Sequence, residues 1–103
     1  MSSVAIQISR FVDEHQPGFV ECTLIDAPGA THQFVEKAPV VSMLDLHANS
    51  TYPCGGALEC EVESEWVDES GCRLVRINTE RPWNIESSTG ETRFVILSSQ
   101  LTR

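Results

Sequence analysis

The run Ala57-Leu58-Glu59-Cys60-Glu61-Val62-Glu63-Ser64-Glu65-Trp66 alternates acidic with mostly apolar residues. A period of two belongs to a β-strand, because successive side chains leave a pleated backbone on opposite faces. The expectation is a strand from Ala57 to Val67, with Leu58, Cys60, Val62 and Trp66 directed into a core. Glu59, Glu61, Glu63 and Glu65 are expected on the other face, about 7 Å between neighbours. Asp68-Glu69-Ser70-Gly71 reverses the chain into a return strand, Cys72 to Thr79. Pairing Val67 with Cys72 sets Glu63 opposite Arg76, Ile77 beside Val62 and, less comfortably, Leu74 opposite Glu65.

Outward from this hairpin the same chemistry recurs. Val4 to Val12 alternates Val4, Ile6 and Ile8 with Ala5, Gln7 and Ser9, and stops at a polar loop ending in Pro17-Gly18. Phe19 to Asp26 carries Val20, Cys22 and Leu24 on one face. After the turn Ala27-Pro28-Gly29-Ala30 the chain returns as Thr31 to Glu36, with Pro39-Val40-Val41 read as an extension beyond a bend. Ser42-Met43-Leu44-Asp45-Leu46 reads as one helical turn with Ser42 as N-cap. Asn49 to Gly56 is loop chemistry, Trp83 to Glu86 a short extension, Glu91 to Leu97 the last strand, and Gln100 to Arg103 a loose tail.

Six strands with turns between them and almost no helix describe a small all-β fold. Two three-stranded meanders, residues 4–41 and 57–98, flank one long connection. A flat sheet of six strands leaves two vulnerable edges, so a mostly antiparallel six-stranded barrel is favoured over a two-sheet sandwich. The chain has 103 residues, enough for one domain and one core over residues 1–103.

Charge narrows the function. Asp and Glu number 15 against 7 Lys and Arg, for a net charge of -8. That field repels phosphate backbones and anionic lipid, so neither nucleic acid nor a membrane is an expected partner. The N-terminus lacks the basic and apolar regions of a signal peptide, and no apolar run approaches the roughly 20 residues of a membrane helix. A cytoplasmic setting follows as an expectation, and with it free thiols at Cys22, Cys54, Cys60 and Cys72.

Gly18-Phe19-Val20-Glu21-Cys22, Phe34-Val35-Glu36-Lys37-Ala38-Pro39-Val40-Val41 and Thr79-Glu80-Arg81-Pro82-Trp83-Asn84-Ile85-Glu86 resemble stretches of short uncharacterised bacterial proteins of about this length. The likeness covers most of the chain. It implies a bacterial cytosolic setting and assigns no activity and no functional residue. The six-strand pattern also looks like the small barrel domain of translation factors, a likeness of architecture, which does not determine function.

Two features stand out as candidate sites. Residues 59–69 hold six acids and no base, so Glu59, Glu61, Glu63 and Glu65 form a possible docking stripe for a basic protein. The competing reading is a solvated sheet face with one cross-strand ion pair. In Arg81-Pro82-Trp83 the proline ends a strand and leaves Trp83 at a bend. Arg81 and Trp83 suit an interface anchor, although a Trp plugging one open end of the barrel is the favoured reading.

His47, Cys54, Cys60 and Cys72 carry zinc-ligand atoms but lack the close pairs of zinc motifs. A small ligand- or zinc-binding barrel is therefore the alternative, and no metal or other cofactor is assigned. There is no phosphate loop, nucleophile elbow or zinc-protease helix, and His15, His32 and His47 have no thiol placed beside them by sequence. No catalytic residue is nominated and an enzyme is not expected. The leading expectation is a non-catalytic acidic module that docks a basic partner, as inhibitors, immunity-type proteins and complex subunits do.

Overall fold

Where apolar residues alternate, the computed structural model forms strands, and it describes all residues from Met1 to Arg103. The order is β1 (Ser2–Asp13), β2 (Phe19–Ile25), β3 (Thr31–Lys37), α1 (Ala38–Val41), β4 (Cys54–Val67), β5 (Arg73–Asn78), β6 (Arg93–Leu97), a 3-10 turn (Ser98–Gln100) and β7 (Leu101–Thr102). The sheet order is β3-β2-β1-β4-β5-β6, with the short β7 added beside β1. All of these pairings are antiparallel. Two meanders, β1-β2-β3 and β4-β5-β6, are thus joined edge to edge through β1 and β4.

The sheet curls into a half-barrel. Its outermost strands, β3 and β6, share no ladder. Ser88 N–H of the loop before β6 donates to Gln33 O of β3 at 2.8 Å, and Ala27 N–H of the β2–β3 turn donates to Val95 O of β6 at 2.8 Å. Phe34 and Phe94 meet edge to face across this seam, with centroids 5.7 Å apart. Two isolated bonds and an aromatic contact therefore manage the edges that a full barrel would abolish.

The inner face holds one cluster of 17 buried residues. Val4, Ile6 and Ile8 of β1, Val20, Cys22 and Leu24 of β2, and Leu58 and Cys60 of β4 all point inward, as their alternation requires.

Four local expectations are corrected. Pro39-Val40-Val41 does not extend β3 but lies in α1, with proline in the first turn, where its missing amide costs nothing. The helical turn therefore comes before Ser42, not after it. Ser42 Oγ accepts from the Leu44 amide at 3.0 Å without starting a helix. Cys54-Gly55-Gly56, loop by its chemistry, begins β4 and pairs with Ile8, Gln7 and Ile6. A Cβ on Gly56 would stand 2.7 Å from Val41 O and 2.8 Å from Ile8 Cδ1. The absent side chain is what lets α1 lie against the strand. Finally, the tail is ordered: Thr102 and Leu101 pair with Ser3 and Val4.

Candidate functional site

The β4–β5 ladder decides where the acids go. Val62 lies opposite Ile77, as expected, and Glu61 opposite Asn78. The register then shifts between Val62 and Ser64, so that Ser64, not Glu63, faces Arg76, and Val67 pairs with Arg73. Glu63 is the extra residue of a β-bulge. One inserted residue exchanges the two faces for everything beyond it.

Two expectations fail for that single reason. Cross-strand partners share a face, and Val75 and Ile77 are buried at 1% and 0% exposure. Glu65, opposite Val75, therefore lies on the inner side, and Trp66, opposite Leu74, on the outer side. Trp66 is 39% exposed rather than part of the core. The four glutamates do not form one stripe: Glu59, Glu61 and Glu63 are outward, while Glu65 is at the rim of the inner face.

Three of the acids have partners that periodicity does not reveal. Glu63 receives Arg93 Nε at 3.3 and 3.2 Å, and Asn78 Nδ2 at 3.3 Å. Glu65 pairs with Arg103 of the C-terminal tail. Glu59 Oε2 accepts from Trp83 Nε1 at 3.1 Å. Glu61 is exposed and makes neither a salt bridge nor a side-chain hydrogen bond. Arg76, the expected partner of Glu63, forms no salt bridge.

Trp83 is not a plug. It is 58% exposed, while Ile85, two residues on, is buried at 1%. The loop after β5 is closed by Thr79, whose buried hydroxyl donates to Ile85 O at 2.7 Å and to Thr92 O at 3.3 Å. Ile85 N–H returns a bond to Thr79 O at 3.0 Å. Asn84 takes φ 53° inside this bracket. Asparagine tolerates that left-handed conformation better than other non-glycine residues, and the turn sends Ile85 inward and Trp83 out towards β4. Arg81 is exposed at the same loop and forms no salt bridge.

The residues of the alternative zinc reading are dispersed. Cys54 is opposite Ile8, Cys60 is opposite Ser2, and Cys72 ends the distant β4–β5 turn. Three or more His, Cys, Asp or Glu side chains nowhere converge in a way that would hold a metal ion. His47 Nδ1 is occupied by the Asn49 amide at 3.2 Å. Burial pushes the Cys22 thiol up to about 12 and that of Cys60 up to about 11, away from the thiolate that metal binding or nucleophilic attack uses.

The other histidines bond carboxylates. His15 Nδ1 meets Asp13 Oδ1 at 2.6 Å in an exposed loop. His32 Nε2 meets Asp26 Oδ2 at 2.8 Å, with its other nitrogen 3.9 Å from Glu91 and its ring edge-on to Phe94. This cluster ties the β2–β3 turn to the chain entering β6. No hydroxyl or thiol hydrogen-bonds any of the three imidazoles.

No helix is long and apolar enough to cross a membrane. No protein-family model, no curated protein and no solved structure matches the chain.

Proposed function

We propose that the protein is a non-catalytic binding module whose outer β4 face docks a basic protein, in the manner of an inhibitor, an immunity-type protein or a complex subunit. The observation that carries this reading is the Glu59–Glu61–Trp83 corner. Glu61 is an exposed carboxylate that forms no salt bridge, and Glu59 holds the indole of a Trp that is 58% exposed. A fixed negative charge beside a flat aromatic suits a Lys or Arg side chain, which gains from both. The net charge of -8 adds long-range steering of such a partner. Arg81, on the same loop, is free to pair with an acid at the rim of the contact. Glu63 and Glu65 contribute less, since Arg93 and Arg103 already offset them.

The test compares wild-type and E59Q/E61Q proteins as baits in a cell lysate, followed by kinetics with the purified retained protein. A basic partner is expected to associate more slowly with the variant and with weaker dependence on salt. Equal association rates across ionic strength would exclude the corner as the docking surface.

A further inference from the structure

The outer face of β4, β5 and β6 carries a partly exposed apolar row. Trp66 stands opposite Leu74, and Leu74 opposite Leu97. Trp66 and Leu97 remain 39% and 38% exposed. Val95 in the next row and Pro28 of the β2–β3 turn border the same area. With Leu74, Leu97, Asp68 and Cys72 they line a shallow depression of about 230 Å³. The row gathers a Trp and two Leu side chains on one side of the sheet, where a second apolar surface could cover what they leave open.

The charges flanking the row have opposite signs. Asp68 and Glu69 lie on the turn side. Arg76 lies on the other side, two residues from Leu74 along β5, or about 7 Å. None of the three forms a salt bridge within the chain. Asp68 uses Oδ1 to accept the Ser70 and Cys72 amides at 2.9 Å each, which leaves its second oxygen free.

This arrangement is complementary to itself. A two-fold axis along the Trp66–Leu74–Leu97 row, between two stacked sheets, exchanges the flanks. It sets the Asp68–Glu69 turn of one copy over Arg76 of the other, twice, and brings Leu74 against its own symmetry mate. An isologous dimer requires that reciprocity.

We propose that this face is a homodimer interface, centred on Leu74 and framed by two symmetric Asp68–Arg76 ion pairs. Two chains of net charge -8 repel one another at a distance. The apolar row and the two ion pairs place attraction where the sheets meet, about 10 Å apart as in aligned sheet packing. The inference stands apart from the Glu59–Glu61–Trp83 corner, since Glu59 lies at the far end of β4 from the overlap.

Sedimentation velocity at chain concentrations from about 1 μM to about 1 mM tests it. The mass is expected to rise from 11.4 kDa towards twice that value. L74E is expected to stay monomeric throughout, and R76E to raise the dissociation constant roughly tenfold. Circular dichroism and thermal melts check that both variants fold, and Arg76, being exposed, keeps the test open should L74E unfold. In a C72S background, L74C places two thiols near the axis, at sheets about 10 Å apart too distant for a direct disulfide, and a short bifunctional thiol reagent is expected to join them into a covalent dimer, whereas C72S alone gives none. A wild-type chain that stays monomeric at every concentration overturns the proposal. So does a dimer that neither R76E nor L74E weakens, or one that L74C fails to cross-link.

Discussion

Arg93 of β6 donates from Nε to both carboxylate oxygens of Glu63, at 3.3 and 3.2 Å, across 30 positions of sequence. Arg76, which strict alternation would place opposite Glu63, faces Ser64 instead. The side chains of Arg93 and Glu63 are 57% and 30% exposed, so water screens the pair and its worth is that of a surface ion pair. E63Q and R93A are each expected to lower stability by up to about 1 kcal/mol, and to be non-additive when combined. R76A in dilute protein is expected to change stability by less than about 0.5 kcal/mol. Urea titrations of the four proteins measure this, and an R76A loss equal to that of R93A would contradict the bulged register.

Gly56 separates a close approach from an ordinary glycine. G56A is expected to cost about 1–3 kcal/mol, because the new methyl meets the backbone oxygen of Val41, which cannot move without α1. Gly55, one residue earlier, has nothing within 4 Å of the place a Cβ would take, so G55A is expected to be nearly neutral. Thermal melts of the two variants check the contrast.

Asp26 links the seam to pH. Burial works against its charge, but the His32 hydrogen bond and the amides of Ala30 and Gly29 more than offset this and hold its carboxyl below the usual value. A group lowered in the folded state contributes stability that is complete above its unfolded value and is lost as pH falls through the folded one. Stability is therefore expected to decline below about pH 4, and D26N to remove part of that decline. At neutral pH D26N is expected to cost about 1 kcal/mol, since the amide keeps the turn bonds but loses the charge-assisted bond to His32. Urea titrations at a series of pH values measure both effects. An unchanged acid slope in D26N would show that other carboxylates carry it.

The thiols are expected to react in order of exposure. Cys72 is exposed and Cys54 half-buried, while Cys22 and Cys60 are fully buried and raised by that burial to about 12 and about 11. A thiol reagent on native protein is expected to modify Cys72 first, Cys54 more slowly, and Cys22 and Cys60 only on unfolding. Peptide mapping after timed labelling reads this order directly. Early labelling of Cys60 would mean that the β1–β4 junction opens in the native state.

Much of the fold is legible in the sequence because it depends on local pattern. Val20, Cys22 and Leu24 lie inward for the same reason that Val4, Ile6 and Ile8 do, and each turn sits where Gly, Pro, Asn or Asp interrupts the alternation. The candidate site is less legible. The outward placement of Glu59 and Glu61 follows from periodicity. Arg93 escapes a reading by period, because its link to Glu63 needs the β5–β6 register, in which it stands opposite Asn78. Arg103 belongs by its local chemistry to a loose tail, and nothing local shows that β7 brings it to Glu65.

The sequence by itself determined that this chain forms antiparallel strands, which apolar side chains of β1, β2 and the first half of β4 face the core, and that the chain is strongly acidic. Those properties depend on residue type and a period of two, and they hold along each strand for as long as its pairing is unbroken. Only the tertiary structure decided that β1 pairs with β4, that the sheet stops at a half-barrel, and that Glu63 is bulged. A bulge is the accommodation one strand makes to its partner, so it leaves no mark in the alternation of either strand. Its effect is nonetheless to move Glu65 inward, away from Glu59 and Glu61, and to bring Trp66 outward beside Leu74.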